Sequence, residues 1–186
     1  METKLLFDLL CKRRSVRLWQ KKPVPDIFIE KIIEAGRLAP TSGNSQPQEF
    51  IILTNESLIK RLLSERLQQK RAPFYIVSKQ WKDEQLEYRS VDIPPVLIVL
   101  CYNLNKFNHY PDIYFSIGCV GMSMWLMAAS LKLGMVWLFA DDQEEPLEKR
   151  RIKKILDLPE WIHPAALMPV GYPAYTPHMV RKPDQL

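Results

Sequence analysis

Residues 113 to 131, IYFSIGCVGMSMWLMAASL, run for 19 positions without a charged side chain. A helix that crosses a membrane needs about 20 predominantly apolar residues, so length alone admits a span. Ser116, Ser123 and Ser130 interrupt the run, and beyond Lys132 the chain resumes at once as LGMVWLFA. That spacing favours a different solution: a helix that is apolar around its circumference because protein covers it, in a core or across a subunit contact. Gly118, Gly121 and Ala128 would let a second helix approach closely. The run therefore reads as a covered helix, and no membrane is expected.

Around this run the remaining segments alternate. Residues 4 to 12 read as a short amphipathic helix. Pro23 and Pro25 break the chain before a second helix from Asp26 to Leu38, with Ile29, Ile32 and Ile33 on one face and Asp26 as its cap. Pro40 ends that helix, and PTSGNSQP is dense in turn formers, a loop. FIILT reads as a strand, and Asn55 caps the helix LIKRLLSERL. Residues 72 to 92 read as irregular, a mobile cover. PPVLIVLCY is a continuous apolar strand of the kind buried on both faces of a sheet. After the long apolar helix come strand MVWLFA, the charged helix EEPLEKRRIKKILDL, strand AALMPVGY and a proline-rich tail. The expected fold is therefore α+β or α/β, with one central sheet flanked by helices. No linker divides the 186 residues, so a single domain over 1–186 is expected.

Several chemistries lack their residues. The three cysteines, Cys11, Cys101 and Cys119, contain no C-x-x-C pair and suit a reducing cytoplasm better than a disulfide framework or a zinc cage. METKLLFDLLCKRR has its basic residues after the apolar run, the reverse of a signal peptide. The six glycines form neither G-x-G-x-x-G nor a Walker loop, so a phosphate would have to be held by side chains. His109, His163 and His178 are far apart, with His163 just ahead of a strand, and no metal site is expected. The net charge of +5 favours anionic partners without naming them. The run EKRRIKK alternates with acids on a helix whose Ile152, Ile155 and Leu156 turn inward, so it reads as a solvated face.

CKRRSVRLWQ, residues 11 to 20, sets three arginines and a serine beside Leu18 and Trp19. If helical, Arg13 and Arg17 share a face at i and i+4. If extended, Arg13, Ser15 and Arg17 take one side while Arg14, Val16 and Leu18 take the other. The extended form offers two guanidinium forks with a hydroxyl between them, a match to a phosphate's acceptor oxygens. A solvated cluster at a helix end is the competing reading.

R-R-S-x-R followed two dozen residues later by A-P-T-S-G-N-S-Q-P and then a strand resembles the FMN-dependent nitroreductase family. The matching residues are Arg13, Arg14, Ser15 and Arg17, then Ala39, Pro40, Thr41, Ser42, Asn44, Gln46 and Pro47. PPVLIVL, A-A-S-L-K-L-G, V-W after Gly134, P-V-G-Y-P and the basic pair Arg181 and Lys182 agree in the same order. The resemblance implies an α+β nitroreductase-like fold with a central mixed sheet, in which two chains interlock as a homodimer. It implies one FMN at each end of the dimer interface. Arg13, Ser15, Arg17, Arg181 and Lys182 would hold the phosphate and the polar edge of the flavin, Arg14 would add to that wall, and Pro40, Thr41, Ser42 and Asn44 would reach the ring from the partner subunit. The 113 to 131 helix would then lie in the interface. The chain departs from the family pattern at Met122 and Ser123, where Gln-Asn is common, at Gln48, where an aromatic is common, and over residues 60 to 92.

With the chemistry carried by FMN, the implied activity is ping-pong turnover. NADH or NADPH reduces the flavin, and a nitroaromatic, a quinone or another flat electrophile then takes the electrons. Arg17 or Lys182 would stabilise charge near flavin N1, a backbone N–H from residues 134 to 140 would face N5, and no side chain is an obligatory proton donor. Two other classes stand beside this one: a related flavin enzyme that fragments flavin, removes halogen or oxidises heterocycles, and a basic nucleic-acid-binding domain using residues 12–17 and 149–154.

Overall fold

A computed structural model of the chain describes residues 2–68, 93–107, 109–140 and 151–175. Strand Val96–Asn103 is its centre. Its residues are branched or aromatic almost throughout, and every one from Val96 to Tyr102 is buried. Alternation along the strand divides them between two cores: Val96, Ile98, Leu100 and Tyr102 face one, while Leu97, Val99 and Cys101 face the other. A strand covered on both faces is what its unbroken apolar run requires.

In chain order the elements are α1 (Glu2–Lys12), α2 (Asp26–Arg37), a 3-10 turn (Ser42–Asn44), β1 (Gln48–Leu53), α3 (Glu56–Gln68), β2 (Val96–Asn103), α4 (Tyr110–Ser130), β3 (Gly134–Met135), β4 (Leu138–Phe139), α5 (Arg151–Ile155) and β5 (Ile162–Gly171). The sheet order is β1-β2-β5-β3, with β4 also on β5. All of these ladders are antiparallel. Among the described residues the sheet becomes mixed at its margin, through a parallel bridge between Ser15 and Met135. Helices α2 and α4 cover one face of the sheet and α3 with α5 the other, so the α+β expectation is met.

Asn55 caps α3 as expected, its Oδ1 accepting from the Leu58 N–H at 2.9 Å. Asp26 does not cap α2: it is the first helical residue, Pro25 occupies the cap position and no side chain bonds there. A carboxylate one step inside still meets the positive end of the helix dipole. MVWLFA, expected as one strand, is two. Register with β5 is unbroken from Gly134↔Gly171 to Phe139↔Ala166, but the residue opposite Val136 is Pro169, which has no N–H to complete the ladder. His163 lies inside β5 rather than ahead of it, 1% exposed and stacked on Tyr102 with ring centroids 5.3 Å apart.

The long apolar run is half covered. Ile113, Ile117, Val120, Met124 and Ala128 form a fully buried stripe, one side chain per turn or nearly so. The opposite side of α4 is bare in this single chain: Phe115 is 75% exposed and Met122 38%, with Gly118 and Cys119 between them. Within this single chain the glycine at the helix crossing lies on α2, not on α4. A Cβ on Gly36 of α2 would stand 2.9 Å from Met124 Cγ, so Gly36 is the crossing point of α2 and α4. Gly121 makes room instead for Trp137, whose ring a Cβ there would meet at 2.0 Å, and Gly118 meets nothing. Residues 69–92, the first half of the expected charged helix (144–150) and the tail beyond Tyr175 lie outside the described residues.

Candidate functional site

The arginine segment leaves α1 and becomes extended. Arg13 still donates its N–H to Leu9 at the helix end. From Ser15 onward the backbone runs beside β3, with the Val16 N–H donating to Met135 O at 3.1 Å. Val16 turns inward against Gly134, where any Cβ would come within 2.6 Å of it. Alternation therefore turns Ser15 and Arg17 away from the core, and the extended reading of the motif holds for this part. Beyond it, Trp19 bridges Pro173, the Gln20 N–H donates to Tyr172 O and the Ala174 N–H to Leu18 O. Distant parts of the sequence meet here: the amino-terminal arm is sewn to residues 172–174, which follow β5. Arg181 and Lys182 lie outside the described residues.

Neighbouring arginines behave differently. The Arg13 guanidinium sits over the Trp125 ring, 4.2 Å from its centroid, a cation–π contact. Arg14 folds back, its Nη1 donating to Cys11 O and to Arg13 O, so it closes the carbonyl end of α1. Trp125 also donates from Nε1 to Arg14 O at 3.3 Å. One α4 side chain thus fixes both the backbone and the first guanidinium of the motif. Nothing in the sequence assigns Trp125 this role, because a single tryptophan inside an uncharged run reads as core.

The second motif is organised around α4 as well, at its other end. Ser42 donates from its N–H to Ser116 Oγ at 3.0 Å and from its Oγ to Asp112 Oδ2 at 3.1 Å. Ser116, buried, in turn donates to Asp112 O. His109 Nδ1 stands 3.3 Å from the same carboxylate oxygen. Within the loop the Gln46 N–H donates to Thr41 Oγ1 and Gln46 Nε2 to Asn44 Oδ1, both at 3.1 Å. Gly43, Asn44 and Gln46 all have positive φ, a conformation that glycine and asparagine tolerate best. Pro40 and Asn44 are exposed, and Thr41 and Ser42 half-buried. Asp112 and Ser116 escape sequence reasoning too, since no sequence signal ties a helix starting at Tyr110 to a loop 70 positions upstream.

The structure does not bring the two motifs together within one chain. Ser116 holds the loop and Trp125 holds the arm, nine residues apart on α4. Nine residues are 2.5 turns and about 13.5 Å of rise. The half turn places the two contacts on opposite sides of the helix. The bare stripe of Phe115, Gly118 and Met122 lies between them around the circumference.

A cleft of about 490 Å³ lies past the end of the arm, lined in part by Trp19, Gln20, Lys21, Lys22, Glu56 and Pro95; none of Arg13, Arg14, Ser15, Arg17 or residues 40–47 lines it. Among the described residues, no group of three or more His, Cys, Asp or Glu side chains is placed to hold a metal ion. The donor set of the arm, guanidinium groups and a hydroxyl beside an aromatic face, fits an anion joined to a flat ring. It offers no evident nucleophile or acid–base pair.

Comparison with known proteins shows the family. The family model described as the nitroreductase family matches residues 10–172. A protein of Methanothermobacter thermautotrophicus named "Putative NADH dehydrogenase/NAD(P)H nitroreductase" is 27% identical over 92% of this chain and 79% of its own length. Iodotyrosine deiodinase 1 of Rattus norvegicus is 28% identical over 98% of this chain and 68% of that protein. Among solved structures, a nitroreductase from Bacteroides fragilis with bound FMN has the same fold, with a TM-score of 0.73 at 19% identity, covering 97% of this chain and 96% of that one.

Proposed function

The chain belongs to the nitroreductase family, and we propose that it is an FMN-dependent oxidoreductase whose cofactor site is completed by a second copy of the chain. The observation that carries this reading is the division of labour along α4: an arginine-bearing arm on one side, a preformed loop on the other, and an exposed apolar stripe joining them. A symmetric dimer built on that stripe would set the loop of one protomer against the arm of its partner. In water such a stripe is a contact surface, and the same reading makes it protein-covered and the protein non-membrane and cytoplasmic.

Arg13, Ser15 and Arg17 would bind the FMN phosphate, with Arg181 and Lys182 completing the charge. The chain is described to Tyr175, one residue after Ala174 pairs with Leu18, so the tail sets out from beside Arg17. Arg14, whose guanidinium is engaged with two carbonyls, would act through the backbone it holds. Pro40, Thr41, Ser42 and Asn44 would line the ring from the partner subunit. Bound FMN would supply the transfer of a hydride from NADH or NADPH and of electrons to a flat acceptor such as a quinone or nitroaromatic. The chain's part is to bind, orient and place positive charge from Arg17 or Lys182 near the pyrimidine edge. Gly134 and the residues after it would present backbone N–H groups to the ring.

Reductive dehalogenation is the second reading, favoured by the likeness to iodotyrosine deiodinase over nearly the whole chain. Titration of apoprotein with FMN tests the shared premise: saturation at one FMN per chain is expected, and a folded protein that takes up none refutes it. Iodide release from iodotyrosine by the reduced protein, without turnover of quinones, would establish the second reading over the first.

A further inference from the structure

We propose that Asp112 and Ser116 are positioning residues that clamp the 41–46 loop in the shape that meets the flavin, an inference that rests on the reading above. Ser42 is held twice, through its backbone N–H by Ser116 Oγ and through its hydroxyl by Asp112 Oδ2. Ser116 is 3% exposed and is locked to the Asp112 backbone at 2.8 Å, so the two anchors are one unit on the first turns of α4. A carboxylate can only accept. The Ser42 proton is therefore committed to Asp112, and the hydroxyl presents lone pairs alone to anything beyond it. A partner's flavin would meet an acceptor at Ser42, complementary to a ribityl O–H or a ring N–H. The loop that the anchors hold has three left-handed positions, Gly43, Asn44 and Gln46, and two of them carry a side chain and need such fixing to persist. The anchors sit on the helix that also carries the bare stripe, so the loop is placed relative to the subunit contact itself.

The test compares FMN affinity, by fluorescence quenching on titrating apoprotein, with hydrogen exchange of the 41–46 amides, for wild type, D112A, S116A, the double variant and D112N. Loss of a charged hydrogen-bond acceptor predicts an FMN Kd raised about tenfold in D112A, with faster exchange confined to the loop. D112N, whose amide oxygen still accepts from Ser42, should recover most of the affinity. D112A and S116A together should cost less than the sum of the two, because both act on Ser42. Wild-type affinity and exchange in D112A would overturn the proposal, as would weakened binding with exchange accelerated evenly through β2 and β5. Should wild type bind no FMN, the functional reading fails, while loop-confined exchange in the D112A apoprotein would still support the clamp.

Discussion

Arg13 and Arg14 share a chemistry and a sequence neighbourhood yet are held by different groups, one over an indole and the other on two carbonyls. Replacing Arg14 with alanine should therefore act mostly on folding, by about 0.5–1.5 kcal/mol for lost hydrogen bonds. Replacing Arg13 and Arg17 together should release FMN with the melting temperature little changed. Differential scanning fluorimetry beside flavin titration separates the two outcomes; equal loss of flavin in Arg14→Ala and the double variant would contradict it. Trp125→Ala should lose FMN as the double variant does but also lower the melting temperature, because Trp125 packs against the core, and Trp125→Phe, which keeps an aromatic ring but not the N–H donor, should fall between in FMN affinity. The extended character of Ser15 to Arg17 is legible in the sequence, because Val16 between polar neighbours alternates. The partners of Arg13 and Arg14 are not, since Trp125 is 111 residues from the carbonyl it binds. Glycine roles divide the same way. Gly134→Ala should cost about 1–3 kcal/mol through overpacking against Val16, whereas Gly118→Ala, with open space around it within its own chain but on the stripe offered to a second copy, should act on dimer formation and not on the packing of the protomer.

Among the elements, α3 and β2 are readable from local pattern alone: a cap three residues ahead of a helical N–H, and an unbroken apolar run. The split of β3 from β4 is not, because it depends on Pro169 in a strand that comes later in the chain and pairs alongside. The edge strand β1 carries a pH signal. Burial would raise the Glu49 carboxyl, but hydrogen bonds from Lys106 and Asn103 and the nearby Lys106 charge outweigh it and hold the group below its ordinary value. Lys106 Nζ is 2.9 Å from the carboxylate in a partly exposed pair. A depressed carboxyl adds stability above its unfolded-state value, here 4.5, and loses it as pH falls through the folded value. Glu49→Gln should therefore lower the melting temperature at pH 7, by an amount that shrinks as the pH falls below 4.5. The difference should be small, since an exposed pair is worth about 0–1 kcal/mol. A Glu49→Gln deficit that grows on acidification would contradict the assignment. For α4, Phe115→Asp and Met122→Glu place charge on the bare stripe; both should give monomers by size-exclusion chromatography with light scattering, and the same monomers should fail to hold FMN.

At the scale of the whole molecule, one helix carries three things at once: the anchor of the arm, the anchor of the loop and the apolar stripe between them. The stripe is visible in the sequence as an uncharged run and both motifs as resemblances, so the fold class is legible from residue order, while the proposed cofactor comes from the resemblance and not from any residue pattern by itself. The half turn of helix between Ser116 and Trp125 is not, because that phase acquires meaning only once the loop and the arm are known to dock there. The claim that the site is shared between two chains follows from that phase, and subunit complementation tests it. One variant loses the arm, Arg13→Ala with Arg17→Ala, and another the loop, Thr41→Ala with Asn44→Ala; neither should retain FMN alone. Unfolding and refolding them together in equal amounts produces heterodimers in half of the dimers, each with one intact site, so FMN binding should return to about one quarter of the wild-type level. A mixture that binds no more FMN than its two parents would contradict the account, because arm and loop would then have to serve the same flavin from a single chain.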